Sequence, residues 1–459
     1  MEHIAKPHCG ARLDRLPDCR WHSSMFAIVA FGLLVCWSNA VGGLILAQLK
    51  ELGWTDNSTT ATFSAITTAG MFLGALGGGI IGDKIGRKNA FILYEAIHII
   101  AMVVGAFSPN MTFLIACRFV MGVGLGALLV TLFAGFTEYM PGRNRGTWSS
   151  RVSFIGNWSY PLCSLIAMGL TPLISAEWNW RVQLLIPAVL SLMATIIAWR
   201  RFPESPRWLE SRGRYAEAEK VMRAIEEGVV LQTGKPLPPV VIEDDGKAPR
   251  AVPYSALLTG VLLKRVILGS FVLIAMNVVQ YTLINWLPTI FMTQGINLKD
   301  SIVLNTMSMF GAPFGIFIAM LVMDKIPRKT MGVGLLVLIA GLGYIYSLQT
   351  SMLLITLIGF FLITFVYMYV CYASAVYVPE IWPTEAKLRG SGLANAVGRI
   401  SGIAAPYAVA VLLNCYGVTG VFVLLGTVSI IVAIAIATIG IETKGVSVES
   451  LGIDAVTSK

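Results

Sequence analysis

Three ionisable residues lie inside long apolar runs of this sequence, where a charge is costly and requires a partner or a function. Glu95 and His98 occur in one run, and Arg118 occurs in the next. Because Glu95 and His98 are three positions apart, they share one face of a helix. Buried carboxyl and imidazole groups can exchange a proton, so this pair is a candidate proton relay. A structural hydrogen bond is the favoured interpretation, because both residues lie in the inner half of their run.

Arg118 is a candidate for binding a negatively charged group. A guanidinium can hold a carboxylate through two parallel hydrogen bonds. The residue lies about two helical turns from one end of its run, in the segment Arg118-Phe-Val-Met-Gly122-Val-Gly124-Leu-Gly126. The alternative is that its guanidinium satisfies backbone carbonyls or a partner that the sequence does not identify.

Neutral polar and aromatic side chains on further runs are candidates for binding a small polar solute. Two of these runs contain Pro161 and Pro288, and amides and rings on kinked helices offer donors, acceptors and flat surfaces. A tyrosine-rich run around Tyr372 offers stacking surfaces, with core or interfacial tyrosines as the alternative. The predicted substrate-binding residues are Arg118, Asn157, Trp158, Asn277, Gln280, Tyr281, Asn285, Trp286 and Tyr372.

Charged turns occur twice, with an offset of 324 − 83 = 241 residues between their aspartates. Glu204, after the sixth apolar run, is likewise echoed by Glu442 after the last. A sequence that repeats itself once, half on half, indicates a duplicated fold. The repeated residues are Asp83, Arg87, Glu138 and Arg145 in the first half, and Asp324, Arg328, Glu380 and Arg389 in the second.

Composition places these residues in a membrane. The chain is 56% hydrophobic and 13% charged, with a mean hydropathy of +0.73, which leaves too little polar surface for a soluble protein of 459 residues. The runs are long enough to cross a bilayer as helices and lack the alternation of a barrel. The predicted spans are 25–48, 61–82, 90–107, 112–135, 148–173, 182–200, 266–291, 301–323, 330–348, 352–377, 391–414 and 417–440.

Glycine is concentrated on two of these spans. Gly70, Gly74 and Gly78 lie on the second, and Gly122 and Gly126 lie on the fourth. Small residues at this spacing allow close approach of helices in a membrane, so tight packing of these spans is expected.

The basic residues predict the topology. All but five of the 34 lysines and arginines fall on one side, which the positive-inside rule assigns to the cytoplasm. The net charge of +9 therefore indicates orientation and contact with anionic lipid, with no nucleic-acid partner expected. The predicted segments are a cytoplasmic N-terminus (1–24), a six-helix bundle (25–202), a cytoplasmic linker with an amphipathic helix (203–263), a second bundle (264–440) and a cytoplasmic tail (441–459).

Other classes of protein are disfavoured. The seven cysteines show no metal-binding spacing and are expected to be small buried hydrophobic residues. Nucleophile, base and orienting group do not cluster, there are only four histidines, and no Gly-rich phosphate-binding motif occurs. We therefore expect no enzyme activity, no cofactor and no metal.

The motifs resemble signatures of the major facilitator superfamily, on its sugar-porter and metabolite:proton symporter side. They are the turn from Gly79 to Lys88, its second copy after Asp324, and Pro203-Glu-Ser-Pro-Arg-Trp-Leu209. The overall match is closest to inner-membrane metabolite transport proteins of enteric bacteria. The resemblance implies two pseudosymmetric six-helix bundles with one midplane site. It also implies that the repeated charges form networks that latch the bundles closed on the cytoplasmic side; charges that only set the topology are the alternative.

The sequence departs from that family at three places. Arg118 resembles the arginine that proton-coupled sugar porters pair with an aspartate of span one. In this chain Ser38 stands where that aspartate should be. Coupling by that route is therefore not transferred, although Glu95, His98 and Arg118 remain candidates. Asn157 falls where a family glutamine stands, and tyrosines around Tyr372 replace family tryptophans, so hexose specificity is not transferred either.

The resulting hypothesis is a secondary active transporter of the cell inner membrane, with both termini cytoplasmic. Its expected partners are a small polar metabolite (a sugar, sugar acid or other organic acid), protons and the lipid bilayer, and it is expected to function as a monomer. The alternatives are an uncoupled facilitator of the same solutes and a transporter-like membrane sensor without flux.

Overall fold

A computed structural model describes residues 7–17, 19–141, 145–240, 253–382 and 386–444. Within these ranges the ordered backbone is helical, and the described residues form no strand. Helices suit a membrane because they pair nearly all of their backbone polar groups within one segment. Nine helical stretches of the described chain are long and apolar enough to cross a bilayer.

The described residues of the first half of the chain form eleven helices. They are α1 (Cys9–Asp14), α2 (Arg20–Val35), α3 (Gly42–Glu51), α4 (Asn57–Ile85), α5 (Arg87–Ala106), α6 (Met111–Tyr139), α7 (Arg145–Asn157), α8 (Ser159–Leu170), α9 (Ala176–Arg201), α10 (Pro206–Ser211) and α11 (Tyr215–Thr233).

The second half repeats the pattern with eight further helices and one π-helical segment. They are α12 (Tyr254–Leu257), α13 (Gly260–Thr293), α14 (Leu298–Met309), α15 (Gly311–Val322), α16 (Arg328–Ser347), α17 (Met352–Cys371), the π-helical segment Tyr372–Tyr377, α18 (Val378–Glu380) and α19 (Lys387–Ile439).

The twelve predicted spans are confirmed. Among the nine long apolar stretches, α19 leaves helical geometry at Gly417 (φ 63°, ψ −158°) and therefore supplies two spans. The two remaining spans are broken helices, α2 with α3 and α7 with α8. The fold is an all-helical membrane protein with six spans in each half of the chain.

A proline explains one of the two broken spans but not the other. Pro161 has no amide hydrogen to donate back to Asn157, and its ring crowds the preceding turn, so α7 and α8 separate at Trp158. The first span, predicted as one helix over 25–48, is interrupted at residues 36–41, where no proline occurs. We refer to residues 36–41 as the span-one break.

The glycines of α4 and α6 bring the two backbones into direct contact, as predicted. A Cβ on Gly74 would overlap the carbonyl group of Val123, and one on Gly126 would overlap the carbonyl group of Met71. In the second half, Gly315 of α15 meets the carbonyl group of Thr364 on α17 in the same way. Each half therefore contains a helix pair that tolerates no larger residue at its contact.

The molecule has two distinguishable faces. One, called here the charged face, carries α1, α10, α11 and the charged turns at Asp83 and Asp324. The other, called the opposite face, carries the first turns of α4 and α6, which Asp56 and Asn110 cap by accepting hydrogen bonds from backbone N–H groups.

The two halves meet at the opposite face. A Cβ on Gly43 of α3 would lie only 2.5 Å from the carbonyl oxygen of Ile284, so the backbones of α3 and α13 touch directly. The Asn57 amide donates to the Asn414 side chain at 2.6 Å and joins α4 to α19. Toward the charged face, Leu76 and Ile80 of α4 are 56% and 62% exposed. We call the contact of Gly43 with Ile284 the α3–α13 contact.

The N-terminal helix α1 packs on the linker helix α11. Leu13 is fully buried in an apolar cluster with Met222 and Trp208. Arg12 forms ion pairs with Glu219 and Glu226. The apolar side chains of α1 are therefore buried against α11. Burial alone would raise the pKa of Glu226, but hydrogen bonds from arginines of the N-terminal segment lower that pKa below its usual value.

We expect Arg12→Ala to release α1 from α11. Losing charge-assisted hydrogen bonds of about 1.5–3 kcal/mol each should accelerate amide exchange of residues 9–14 about tenfold or more. Arg223→Ala is the matched control, because Arg223 also pairs with Glu219 but is exposed. Since the pKa of Glu226 is lowered, the docking is complete at neutral pH and is lost as the pH falls through that pKa. Unchanged exchange in Arg12→Ala would show that the apolar cluster alone holds α1.

We expect Gly43→Val to open the α3–α13 contact, because its side chain cannot fit against the Ile284 carbonyl group. Spin labels on Glu51→Cys and Thr350→Cys, two exposed positions of different halves at the opposite face, report the separation of the halves by double electron–electron resonance once the exposed native Cys415 is replaced by serine. The label distance should lengthen in most molecules. Gly341→Val is the control, because Gly341 has no neighbouring atom within 4 Å of a Cβ. Identical distances in both variants would contradict this account of the closed face.

Candidate functional site

A charge network around Arg87 lies where α4, α5 and α6 reach the charged face. The Arg87 guanidinium donates to Asp83 at 2.6 Å and to Glu138 at 2.9 Å. The Glu204 carboxylate accepts hydrogen bonds from the backbone N–H groups of Arg87 (2.7 Å) and Lys88 (3.2 Å). A helix N-terminus has unpaired N–H groups and a partial positive charge, so this carboxylate stabilises the start of α5.

Gly86 makes the capping geometry possible. Its φ of +97° lies in the region that favours glycine. A Cβ at this position would also overlap the Glu204 carboxylate. The glycine of the charged turn is therefore required both by the backbone conformation and by the close approach of the capping residue.

A second network around Arg328 repeats the first. Arg328 donates to Asp324 at 3.1 Å and to both oxygens of Glu380 at 3.0 and 3.1 Å. Glu442 caps α16 by accepting from the N–H groups of Arg328 (2.8 Å) and Lys329 (3.1 Å). Burial alone would raise the pKa of Glu442, but these backbone hydrogen bonds lower it. The sequence repeat therefore corresponds to a repeated three-dimensional arrangement.

In this structure the described contacts of each network stay within one half of the molecule. The side chains of Asp83 and Asp324 are 63% and 90% exposed, so both remain accessible to partners. The side chain of Arg145 lies outside the described part of the chain, and its place in the network stays a prediction. Arg389 lies over the ring of Tyr254, with 5.1 Å between the guanidinium carbon and the ring centroid.

Arg118 is enclosed rather than open to a cavity. Its side chain is almost fully buried, with the guanidinium 4.7 Å from the ring centroid of Phe63. One of its NH groups donates to the carbonyl oxygen of Ser38 at 2.6 Å, and its Nε lies 3.3 Å from the hydroxyl of Thr67. A Cβ on Gly42 would lie 3.0 Å from the other NH group. The predicted alternative of bonding to a backbone carbonyl therefore describes this conformation.

Glu95, His98 and Ser38 meet at the span-one break. All three side chains are buried, and both Glu95 oxygens lack a hydrogen-bond partner among the described residues. His98 Nε2 lies 2.6 Å from Ser38 Oγ, and His98 Nδ1 lies 3.8 Å from Glu95 Oε2. The pair lies near the middle of α5 and faces the protein, which corrects the expectation that it lies in the inner half of the span.

Asn277 and Tyr281 face α19 from α13. The Asn277 amide donates to the carbonyl oxygen one turn earlier at 2.7 Å, and it lies 3.0 Å from the Cβ position of Gly398. The Tyr281 ring packs on Gly402, with 3.2 Å between a ring carbon and the Cβ position. Both side chains therefore lie at the contact of two helices of the second half.

Around Gln280, a predicted substrate-binding residue, lie two tyrosines that are not among the predicted ones. The ring centroids of Tyr160 (α8) and Tyr367 (α17) are 5.3 Å apart, and the Tyr367 hydroxyl approaches Gln280 of α13 without completing a hydrogen bond. We call Tyr160, Gln280 and Tyr367 the midplane cluster. The Asn305 amide also donates to Ser164 at 3.1 Å across the two halves. The proximity of Tyr160 to Pro161 was the available sequence signal.

Asn157 and Trp158 lie at the break between α7 and α8. The Asn157 amide donates to the Ser153 carbonyl one turn earlier, at 2.8 Å. The Trp158 ring lies in an apolar groove against Phe310, with 6.3 Å between ring centroids. The structure therefore places Trp158 apart from the polar midplane cluster.

Trp286 and Tyr372, two predicted substrate-binding residues, also lie apart from the midplane cluster. Trp286 is fully buried in an apolar cluster with Ala61 and Val409, where the two halves meet. Tyr372 stacks on Tyr377 with ring centroids 5.0 Å apart, near the charged face of the second half. In this conformation both residues are packing residues, because their rings contact protein on all sides.

Two six-helix halves that touch at one face, with polar side chains from both halves at the middle, define a membrane transporter. A sequence profile of the Major Facilitator Superfamily matches residues 26–406. The chain belongs to the Major Facilitator Superfamily. It is a metabolite transporter and not an enzyme.

Similar proteins agree with this assignment. The chain is 94% identical over 459 residues, covering 100% of both chains, to YdjK of Escherichia coli (strain K12), a metabolite transport protein by name. It is 43% identical to the inner membrane metabolite transport protein YdjE of the same organism, covering 96% of this chain and 98% of that one. The E. coli xylose transporter XylE in a partially occluded inward-open conformation has the same fold, with a TM-score of 0.73, 18% identity and coverage of 93% and 100%.

We expect Gly86→Ala to destabilise the protein, because it combines an unfavourable φ with a clash against the Glu204 cap. Gly213→Ala is the matched control: its φ is +71°, but no atom lies within 4 Å of its Cβ position. The control should lose about 1 kcal/mol, and Gly86→Ala about 2 kcal/mol or more. Thermal unfolding in detergent measures both, and equal losses would show that the cap contributes nothing.

Proposed function

We propose that this chain is a secondary active transporter of a small polar metabolite that works by alternating access. The observation that carries the proposal is the α3–α13 contact, which joins the halves at the opposite face just beyond the midplane cluster. A solute bound between Tyr160, Gln280 and Tyr367 would be shielded from that face. Separation of α3 from α13, with closure at the charged face, would expose it to the other side.

The orientation follows from the distribution of charge. The charged face carries the basic residues and would be cytoplasmic by the positive-inside rule. The name of YdjE, an inner membrane protein, supports the same membrane for this chain. Both termini would then be cytoplasmic, because α1 lies on that face and α19 ends there.

The substrate would be a sugar, a sugar acid or another organic acid. Amide and tyrosine side chains supply donors, acceptors and ring faces suited to such solutes. XylE is described as a proton:xylose symporter, which supports proton coupling here. An uncoupled facilitator is the second candidate, and the observation in its favour is Ser38 in place of an acidic residue in span one.

The exposed carboxylates would act when the transporter reverses. As the charged face closes, Asp83 and Asp324 would approach the other half and latch it, while Arg87 and Arg328 keep each network assembled. The protein would carry out the cycle as a monomer, because both halves of the site come from one chain.

The substrate class is tested by uptake into proteoliposomes of a panel of neutral sugars, sugar acids and aromatic acids, with and without a proton gradient. For the solute that is carried, Gln280→Ala should raise KM about fivefold to tenfold, as expected for one lost hydrogen bond of about 1–1.5 kcal/mol. Tyr372→Phe is the control and should leave KM unchanged. No uptake of any solute would contradict transport of this class.

Asp83→Asn should slow or abolish uptake without unfolding the protein, because an exposed side chain contributes little to stability. Initial uptake rates and the elution profile in detergent measure the two properties separately. Asp14→Asn serves as the control, since Asp14 also pairs with an arginine at this face but belongs to α1. Normal uptake by Asp83→Asn would leave the charges with a purely topological role.

A further inference from the structure

We propose that the coupling proton binds at Glu95 and His98 of α5, and that Ser38 transmits its binding to the span-one break. This inference rests on the proposed transport function and specifies where the proton is held. It assigns to α5 the acidic group that the first span lacks. The three groups come together only in the folded protein, since Ser38 is about sixty residues away in sequence.

The Glu95 carboxyl group lies in surroundings that disfavour a permanent charge. It is fully buried, and neither oxygen has a hydrogen-bond partner among the described residues. An unpaired buried charge costs several kcal/mol, whereas a proton on the carboxyl group removes that charge. A buried acid that lies 3.8 Å from the nearer nitrogen of His98 is therefore suited to taking up and releasing a proton rather than to forming a permanent ion pair.

The His98 imidazole connects Ser38 to Glu95 in a continuous path for a proton. Ser38 Oγ gives its proton to His98 Nε2 as it takes one from a hydronium ion that reaches the break, which leaves a water molecule. His98 then releases its Nδ1 proton to Glu95 Oε2, once a small rotation closes their 3.8 Å separation. The ring begins and ends neutral with its tautomer exchanged, and one proton has moved from the hydronium ion to the carboxylate.

The surroundings contain few other groups that could take this proton. Cys36 lies 3.8 Å from His98 Nδ1, and α6 contacts the backbone of His98 through Gly124. The ionisable residues of the helices packed on α5 lie toward helix ends, apart from Arg118, which bonds Ser38, and Cys117 beside it. The ionisable residues near the helix ends are Asp83 and Lys84 on α4, Glu138 and Tyr139 on α6, and Glu177, Arg181, Arg200 and Arg201 on α9. Tyr94, also on α5, donates to the carbonyl oxygen of Gly78.

Ser38 also connects the proton site to the closed opposite face. Ser38 lies in the span-one break, and its carbonyl oxygen is held by Arg118. The break leads directly into α3, where Gly42 lies between Arg118 and the Asn285 side-chain oxygen, which is 3.4 Å from the Gly42 Cβ position. A change in the hydrogen bond at Ser38 Oγ would therefore alter the angle of α3 at the α3–α13 contact. Arg118 is a positioning residue in this scheme.

The test uses protons alone as the ligand. Spin labels at Glu51→Cys and Thr350→Cys, with Cys415→Ser, report the open and closed populations of the opposite face at about pH 5 and pH 8. We expect the ratio of the two populations to change about fivefold in the wild-type background. Glu95→Gln and His98→Gln should each abolish this pH dependence, and Cys36→Ser should preserve it.

The outcomes separate the inference from the proposed function. A pH response that survives in Glu95→Gln, or a wild-type protein with no response, overturns the proton site. If Glu95→Gln elutes as an aggregate, Glu95→Asp replaces it and should shift the response without abolishing it; an unshifted response also overturns the site. Failure of the proposed function appears separately, as no uptake of any solute in the panel by protein whose labels still respond to pH.

Discussion

Inside a membrane, an interrupted helix leaves backbone carbonyl groups without donors, and each must find one within the protein. The span-one break places this requirement at Ser38, whose carbonyl oxygen is satisfied by Arg118. The hydroxyl of Ser38 also contacts His98. Immediately after the break, the glycines of α3 allow the backbone to touch α13. The break therefore connects a buried ionisable pair, a buried guanidinium and the contact between the two halves.

The two charge networks hold each half of the molecule together. In both, an arginine at a helix start bonds two carboxylates, and a glutamate from beyond the sixth span of that half caps the same helix. The capping residue fixes the end of each bundle to its third span. In the proposed cycle each half would rotate as a unit about the midplane cluster, with the change in shape concentrated at the span-one break and at the contacts between halves.

Much of this fold could be predicted from sequence because its causes are local. Apolar runs of sufficient length give the spans, and the repeat of Asp83 and Arg87 at Asp324 and Arg328 gives the two networks. The span-one break could not be predicted, because residues 36–41 contain no proline and are mostly apolar. The positions of Trp286 and Tyr372 were misjudged for another reason: on helices buried on all sides, hydrophobic periodicity does not indicate which neighbour a side chain meets. The contact of Ser38 with His98 depends on tertiary packing alone.

The central claim is that proton binding at Glu95 and His98 is coupled to the α3–α13 contact. Coupling between two sites is reciprocal, so opening that contact must change proton binding at the pair. The most direct measurement follows the His98 ring nitrogens by ¹⁵N NMR as the pH is changed, because their shifts report the tautomer exchange that accompanies protonation of Glu95. It compares wild type with Gly43→Val, and His98→Gln assigns the signals. The account predicts that the midpoint of the titration moves by about half a pH unit or more between the two proteins. Identical midpoints, in a variant whose opposite face is demonstrably open, would contradict it.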